Sequence, residues 1–254
     1  MLMKKTLLTL SALSLMAVSA QAELLVYEGF DYADGTTLDE TNSNLNGGTA
    51  LSGSWVTTDT TLTNALFEVD DSAVTTWGSL TQTGSALKRQ STGGVEAISR
   101  AINVGDGTGG TVDLDAGTDL WFSVLIGTRG TTQFAIGSGS FADGGSGSAD
   151  MGGSGDGFGL SMTGNTVGTV AASAWASGTK TNTGGGNFGD ITQFFVGHIT
   201  WGVGEGVNDT FDLYAVGTDL ALGTAIATQL ADVDESLLDT ITLSTNRGPG
   251  LDEI

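Results

Sequence analysis

The sequence predicts an all-β protein, and three observations carry that reading. Apolar residues come in short runs of strand length instead of at helical spacing. Gly, Asn, Asp, Ser and Thr punctuate those runs, and the chain holds 41 glycines against one proline. In Thr210–Val216 the apolar Phe211, Leu213 and Ala215 alternate with Thr210, Asp212 and Tyr214, the period of a strand with one wet face.

In chain order, Met1–Ala22 reads as a secretory signal peptide. It has a basic front (Lys4, Lys5), an apolar run from Thr6 to Ala20 and an Ala20-Gln21-Ala22 cleavage site. The run is shorter than the ~20 residues that span a bilayer, and no later stretch is long and apolar enough to do so. The expected product is exported and not inserted in a membrane. It has no cysteine, so its fold must rest on a hydrophobic core. Residues 23–254 suit one β-sandwich domain, since such domains reach this length without dividing.

Strands are predicted at Leu24–Glu28, Leu66–Val69, Glu96–Ile102, Leu120–Ile126, Thr132–Ile136, Phe158–Met162, Phe194–Trp201, Thr210–Val216, Thr240–Leu243 and Leu251–Ile254. Leu120–Ile126 is almost continuously apolar, which places it at the centre of the core with Trp121 inside. Asp232–Leu238 could form a helical turn. Gly137–Gly157 is too rich in Gly and Ser to bury more than Phe141 and Met151, so it reads as a long surface loop. Its two Gly-Gly-Ser-Gly runs precede Asp150 and Asp156 at spacings that miss the calcium-binding nonapeptide by one residue each.

Charge excludes some partners. There are 29 acidic residues against 8 basic ones, a net charge of −21, and loss of Lys4 and Lys5 makes the product more acidic. Nucleic acid is a poor partner for such a chain, because binding a polyanion needs clustered Lys and Arg.

The N-terminal stretch Leu24-Leu25-Val26-Tyr27-Glu28-Gly29-Phe30-Asp31-Tyr32, followed by Asn46-Gly47-Gly48-Thr49 and Ser52-Gly53-Ser54-Trp55, resembles the opening of the concanavalin A-like (LamG-like) domains of secreted bacterial proteins. Asp252-Glu253-Ile254 is similar to the start of their closing strand, and Leu51 stands where a turn tryptophan is common. The resemblance implies a two-sheet antiparallel jelly-roll sandwich on a bacterial cell surface or in the medium, with a concave face for a polysaccharide or surface glycan. It also implies a structural calcium near the paired terminal strands, for which Glu28 and Asp252 are the candidate ligands. The closing strand is the expected partner of Leu24–Glu28. Because it would stop at Ile254, shorter than the usual ~5–6 residues, the chain reads as cut short there.

Catalytic signals are missing. Related glucanases carry an E-x-D-x-x-E run of paired carboxylates. Here Glu68-Val69-Asp70-Asp71-Ser72-Ala73 lacks the final Glu, and Asp232-Val233-Asp234-Glu235 has the wrong order. His198 is the only histidine, which excludes a multi-histidine zinc site, and no G-x-S-x-G elbow accompanies it. The reading leans away from an enzyme, with no catalytic residue assigned.

Five tryptophans remain to be placed. An indole covers the apolar C–H face of a sugar ring, so tryptophans exposed on one sheet face would form a carbohydrate platform. Trp175 and Trp201, set among Ser and Thr, are the candidates, with His198 lining the same surface. The favoured function is a secreted, non-catalytic carbohydrate-binding module. Its rivals are a structural matrix protein without a small ligand and a divergent glycoside hydrolase.

Overall fold

The computed structural model of the protein describes residues 26–38, 47–49, 51–57, 67–71, 76–80, 84–89, 96–102, 119–127, 131–138, 151, 155–163, 167–189, 192–202, 206–234, 238–245 and 251–252. Residues 1–25, Phe141, Asp150, Glu253 and Ile254 lie outside the described residues.

The strands are β1 (Thr37–Leu38), β2 (Leu51–Thr57), β3 (Phe67–Asp70), β4 (Ala86–Arg89), β5 (Glu96–Ile102), β6 (Asp119–Ile126), β7 (Thr132–Ser138) and β8 (Asp156–Thr163). They continue with β9 (Val167–Ala176), β10 (Thr179–Gly189), β11 (Gln193–Thr200), β12 (Asp209–Val216), β13 (Ala227–Ala231), β14 (Thr240–Thr245) and β15 (Leu251–Asp252). Two antiparallel sheets result, one of eight strands in the order β1-β3-β4-β15-β6-β11-β12-β13 and one of seven in the order β10-β9-β8-β7-β14-β5-β2. No α-helix occurs among the described residues, Asp232–Asp234 and Leu238 included.

Alternation along the strands turns one face of each sheet toward a shared core. Phe122, Val124, Phe195, Ile199, Phe211 and Leu213 of the eight-stranded sheet meet Phe134, Phe158, Leu160, Val170 and Leu243 of the seven-stranded one. In the β12 run, Phe211 and Leu213 are buried while Thr210, Asp212 and Tyr214 are partly exposed. Gly197 in β11 is a requirement of this packing. A Cβ there would lie 2.2 Å from Phe122 Cζ and 2.7 Å from Phe211 Cε2, so only glycine lets those rings stack at 5.7 Å across the strand.

Two expectations are corrected. The described residues of the closing strand do not pair with the expected first strand: β15 sits between β4 and β6, with Leu251 opposite both Leu87 and Ile126. Of the expected first strand, Tyr27 makes an isolated bridge to Thr49. Trp121 is not in the core. The first half of β6 alternates, and because Phe122 points inward, Trp121 points out. Within the Gly-rich segment, Met151 is one of the two residues the sequence allowed to be buried, and it is buried. Met151 is buried with Ala135 and Trp175 against the outer side of the seven-stranded sheet, which leaves β7 buried on both faces.

Candidate functional site

The outer face of the eight-stranded sheet gathers an aromatic platform. Register places His198 of β11 directly opposite Trp121 of β6 on one side and Asp212 of β12 on the other, and Asp212 is opposite Thr228 of β13. These four residues form one row across four strands. Trp121 and His198 stack with ring centroids 3.9 Å apart and planes 10° from parallel, and Tyr214 stacks on Trp121 at 6.1 Å. Trp121 nevertheless leaves 46% of its surface to solvent.

Polar groups frame the stack. His198 Nε2 lies 3.4 Å from Asp119 Oδ2 and 3.4 Å from Thr200 Oγ1. The Thr228 hydroxyl donates to Asp212 Oδ1, which fixes that carboxylate beside the imidazole. Burial, then the Asp212 charge, raises the Tyr214 phenol above its ordinary value, so Tyr214 stays a neutral hydrogen-bonding hydroxyl. None of β6, β11, β12 and β13 carries Lys or Arg, and Leu230 adds an exposed apolar side chain beside Thr210. The face thus combines a flat aromatic surface with carboxylate acceptors and hydroxyls that both donate and accept.

Of the three ligand-facing residues predicted from sequence, the structure places His198 on this platform and the two tryptophans elsewhere. Trp175 is 1% exposed on the outer side of the seven-stranded sheet. Its indole nitrogen donates to the Met151 carbonyl at 2.7 Å, and Lys180 Nζ lies 5.3 Å from its ring centroid. Trp201 is 3% exposed in the main core, 6.2 Å from Phe158, and its indole nitrogen has no hydrogen-bond partner among the described residues. The expectation of exposed rings at these two positions is corrected, because neither keeps a face for a ligand. Trp121 and Tyr214 do: the alternation of β12 already put Tyr214 on the wet face, whereas the alternation at the start of β6 that turns Trp121 outward was masked by the apolar character of that run.

Glu28, expected among acidic calcium ligands, has a different cation beside it. Its Oε1 accepts from Phe30 N at 2.8 Å, and its Oε2 accepts from Tyr32 Oη at 2.9 Å and Arg100 Nη1 at 2.6 Å. Burial raises the Glu28 carboxyl, while those three donors act in the opposite direction. Arg100 also donates from Nε to the Gly53 carbonyl and from Nη1 to Tyr32 Oη, and its guanidinium lies 5.9 Å from the Trp55 ring centroid. Asp252 is not its partner along a ladder, since it pairs with Leu125 in β6; its side chain lies outside the described residues. Asp156, the acidic residue after the second Gly-Gly-Ser-Gly run, accepts from the Ser177 amide in the β9–β10 turn. No group of three or more potential metal ligands occurs among the described residues.

No protein family, curated protein or solved structure matches this chain.

Proposed function

We propose that this chain is a secreted, non-catalytic carbohydrate-binding module, a jelly-roll sandwich of the concanavalin A-like kind whose ligand lies on the outer face of the eight-stranded sheet. The observation that carries the reading is Trp121, held flat against His198 at 3.9 Å yet 46% exposed. An indole is costly to leave in water, and one kept there by a parallel partner ring is pre-organised to cover the apolar face of a sugar. Asp212 and Thr228 stand in the row of Trp121, with Thr200 and Tyr214 in the flanking rows, to bond ring hydroxyls. Signal-peptide character and acidity suit an exported, salt-exposed protein.

The test is binding of the leaderless protein to immobilised and soluble oligosaccharides, followed by tryptophan fluorescence and calorimetry. The parent should bind at least one glycan class, and Trp121→Ala should abolish that binding with the fold intact by circular dichroism. Failure of the parent on a broad panel, or full retention by Trp121→Ala, overturns the proposal.

A further inference from the structure

We infer that the sugar taken by this face is an amino sugar with a free, protonated amine; the inference rests on the carbohydrate reading above and narrows its ligand class. The aromatic stack is flanked by two carboxylates. Asp119 Oδ2 approaches His198 Nε2 from one side, and Asp212 lies opposite His198 on the other. No Lys or Arg in the four strands balances them, and the chain as a whole carries −21.

A carboxylate accepts hydrogen bonds and cannot donate, so what it meets must donate. A sugar hydroxyl meets that need, but an ammonium meets it with three donors and the opposite charge. Trp121 adds to the preference, because the face of an indole attracts a cation electrostatically as well as covering a C–H surface. The same arrangement rejects uronate and sulfated polymers, whose charge would be brought against Asp119 and Asp212. Asp212 is held in place by Thr228, so its carboxylate is positioned before any ligand arrives.

The experiment compares, on the leaderless protein, glucosamine oligomers with their N-acetylated counterparts, a neutral glucan, a uronate polymer and polylysine. The parent, Trp121→Ala and the conservative double variant Asp119→Asn/Asp212→Asn are measured at low and high salt. The glucosamine oligomer should bind about tenfold more tightly than the acetylated one, since the added cation–aromatic and ionic contacts at a partly exposed site amount to little more than one decade. That ratio should fall in high salt and vanish in the double variant, and the uronate polymer should not bind. Equal affinity for free and acetylated oligomers, or a ratio unmoved by the double variant, overturns the amino-sugar inference while leaving carbohydrate binding in place. Polylysine binding as tightly as the glucosamine oligomer also overturns it, because the face would then read charge alone. Absence of binding to any oligosaccharide removes the carbohydrate reading itself.

Discussion

Arg100 Nη1 and Glu28 Oε2 lie 2.6 Å apart with both side chains fully enclosed, so a strand of the seven-stranded sheet is tied to the N-terminal segment by a buried ion pair. Taking either partner away strands a charge in the interior. Arg100→Met or Glu28→Leu should each cost about 3–5 kcal/mol in urea unfolding, and the double replacement should recover part of that loss. Since a guanidinium already neutralises Glu28, chelator should leave the melting temperature unchanged. A drop in calcium-loaded protein would mean that an ion shares this carboxylate.

Tyr32 gives the same cluster a signature at high pH. Burial, then the adjacent Glu28 charge, pushes its phenol up to about 12 from an ordinary 10.0. The folded value is the higher one, so the unfolded chain loses its proton first. The stabilisation is complete below the unfolded value and is lost as pH rises through about 12. Tyrosinate absorbance should show a late phase at about 12 that belongs to Tyr32. Tyr32→Phe should remove that phase and flatten the alkaline loss of stability.

Gly197→Ala should destabilise the protein by about 1–3 kcal/mol, because its methyl group would push into the rings of Phe122 and Phe211. Pairing it with Phe122→Leu, which removes the ring edge that is struck, should give a smaller loss than the sum of the two single changes. Strict additivity in chemical denaturation would show that the methyl is accommodated elsewhere.

Trp175 and Trp121 should separate stability from binding. Trp175→Phe leaves the Met151 carbonyl without its indole donor, which should cost about 1–3 kcal/mol, with glycan affinity unchanged. Trp121→Ala should cost about 0.5–1.5 kcal/mol, the worth of its ring stack, and remove binding. The opposite pattern would return the ligand to the seven-stranded sheet.

Much of the sandwich was legible because period-two alternation survives wherever a strand has one apolar face. Glu96–Ile102 was predicted to the residue, and the strands around Phe158, Phe194 and Phe211 were found within two residues of their ends. β9 and β10 escaped notice. The inward side of β9 is Val170, Ala172 and Ala174, while its outward side carries Ala171 and Trp175 beside Ser173, so little contrast in hydropathy marks the pleat. In β10 glycines and threonines imitate a loop, and register against β9 makes the strand. β2 was read as a turn motif, although Trp55 in it is fully buried against Phe30. At the candidate site His198 was legible because it is unique, whereas the partners of His198 were set by cross-strand register, which one strand's sequence does not contain.

The ends of the two sheets govern how the protein behaves when crowded. An unpaired strand is a template on which another chain can build, and the hazard grows with its length and regularity. Here the outermost strands are β1, of two residues, β13, of five, and β2 and β10, each broken by a register shift, between Ser52 and Val56 and between Gly184 and Gly186. Side chains also close one flank: Gln229 of β13 accepts from Thr183 and donates to Thr181 of β10, which draws the two borders together. Among the described residues none of the four borders offers a long, straight row of amides. Concentrated protein should therefore resist growing into fibres, even though most of its described backbone is extended.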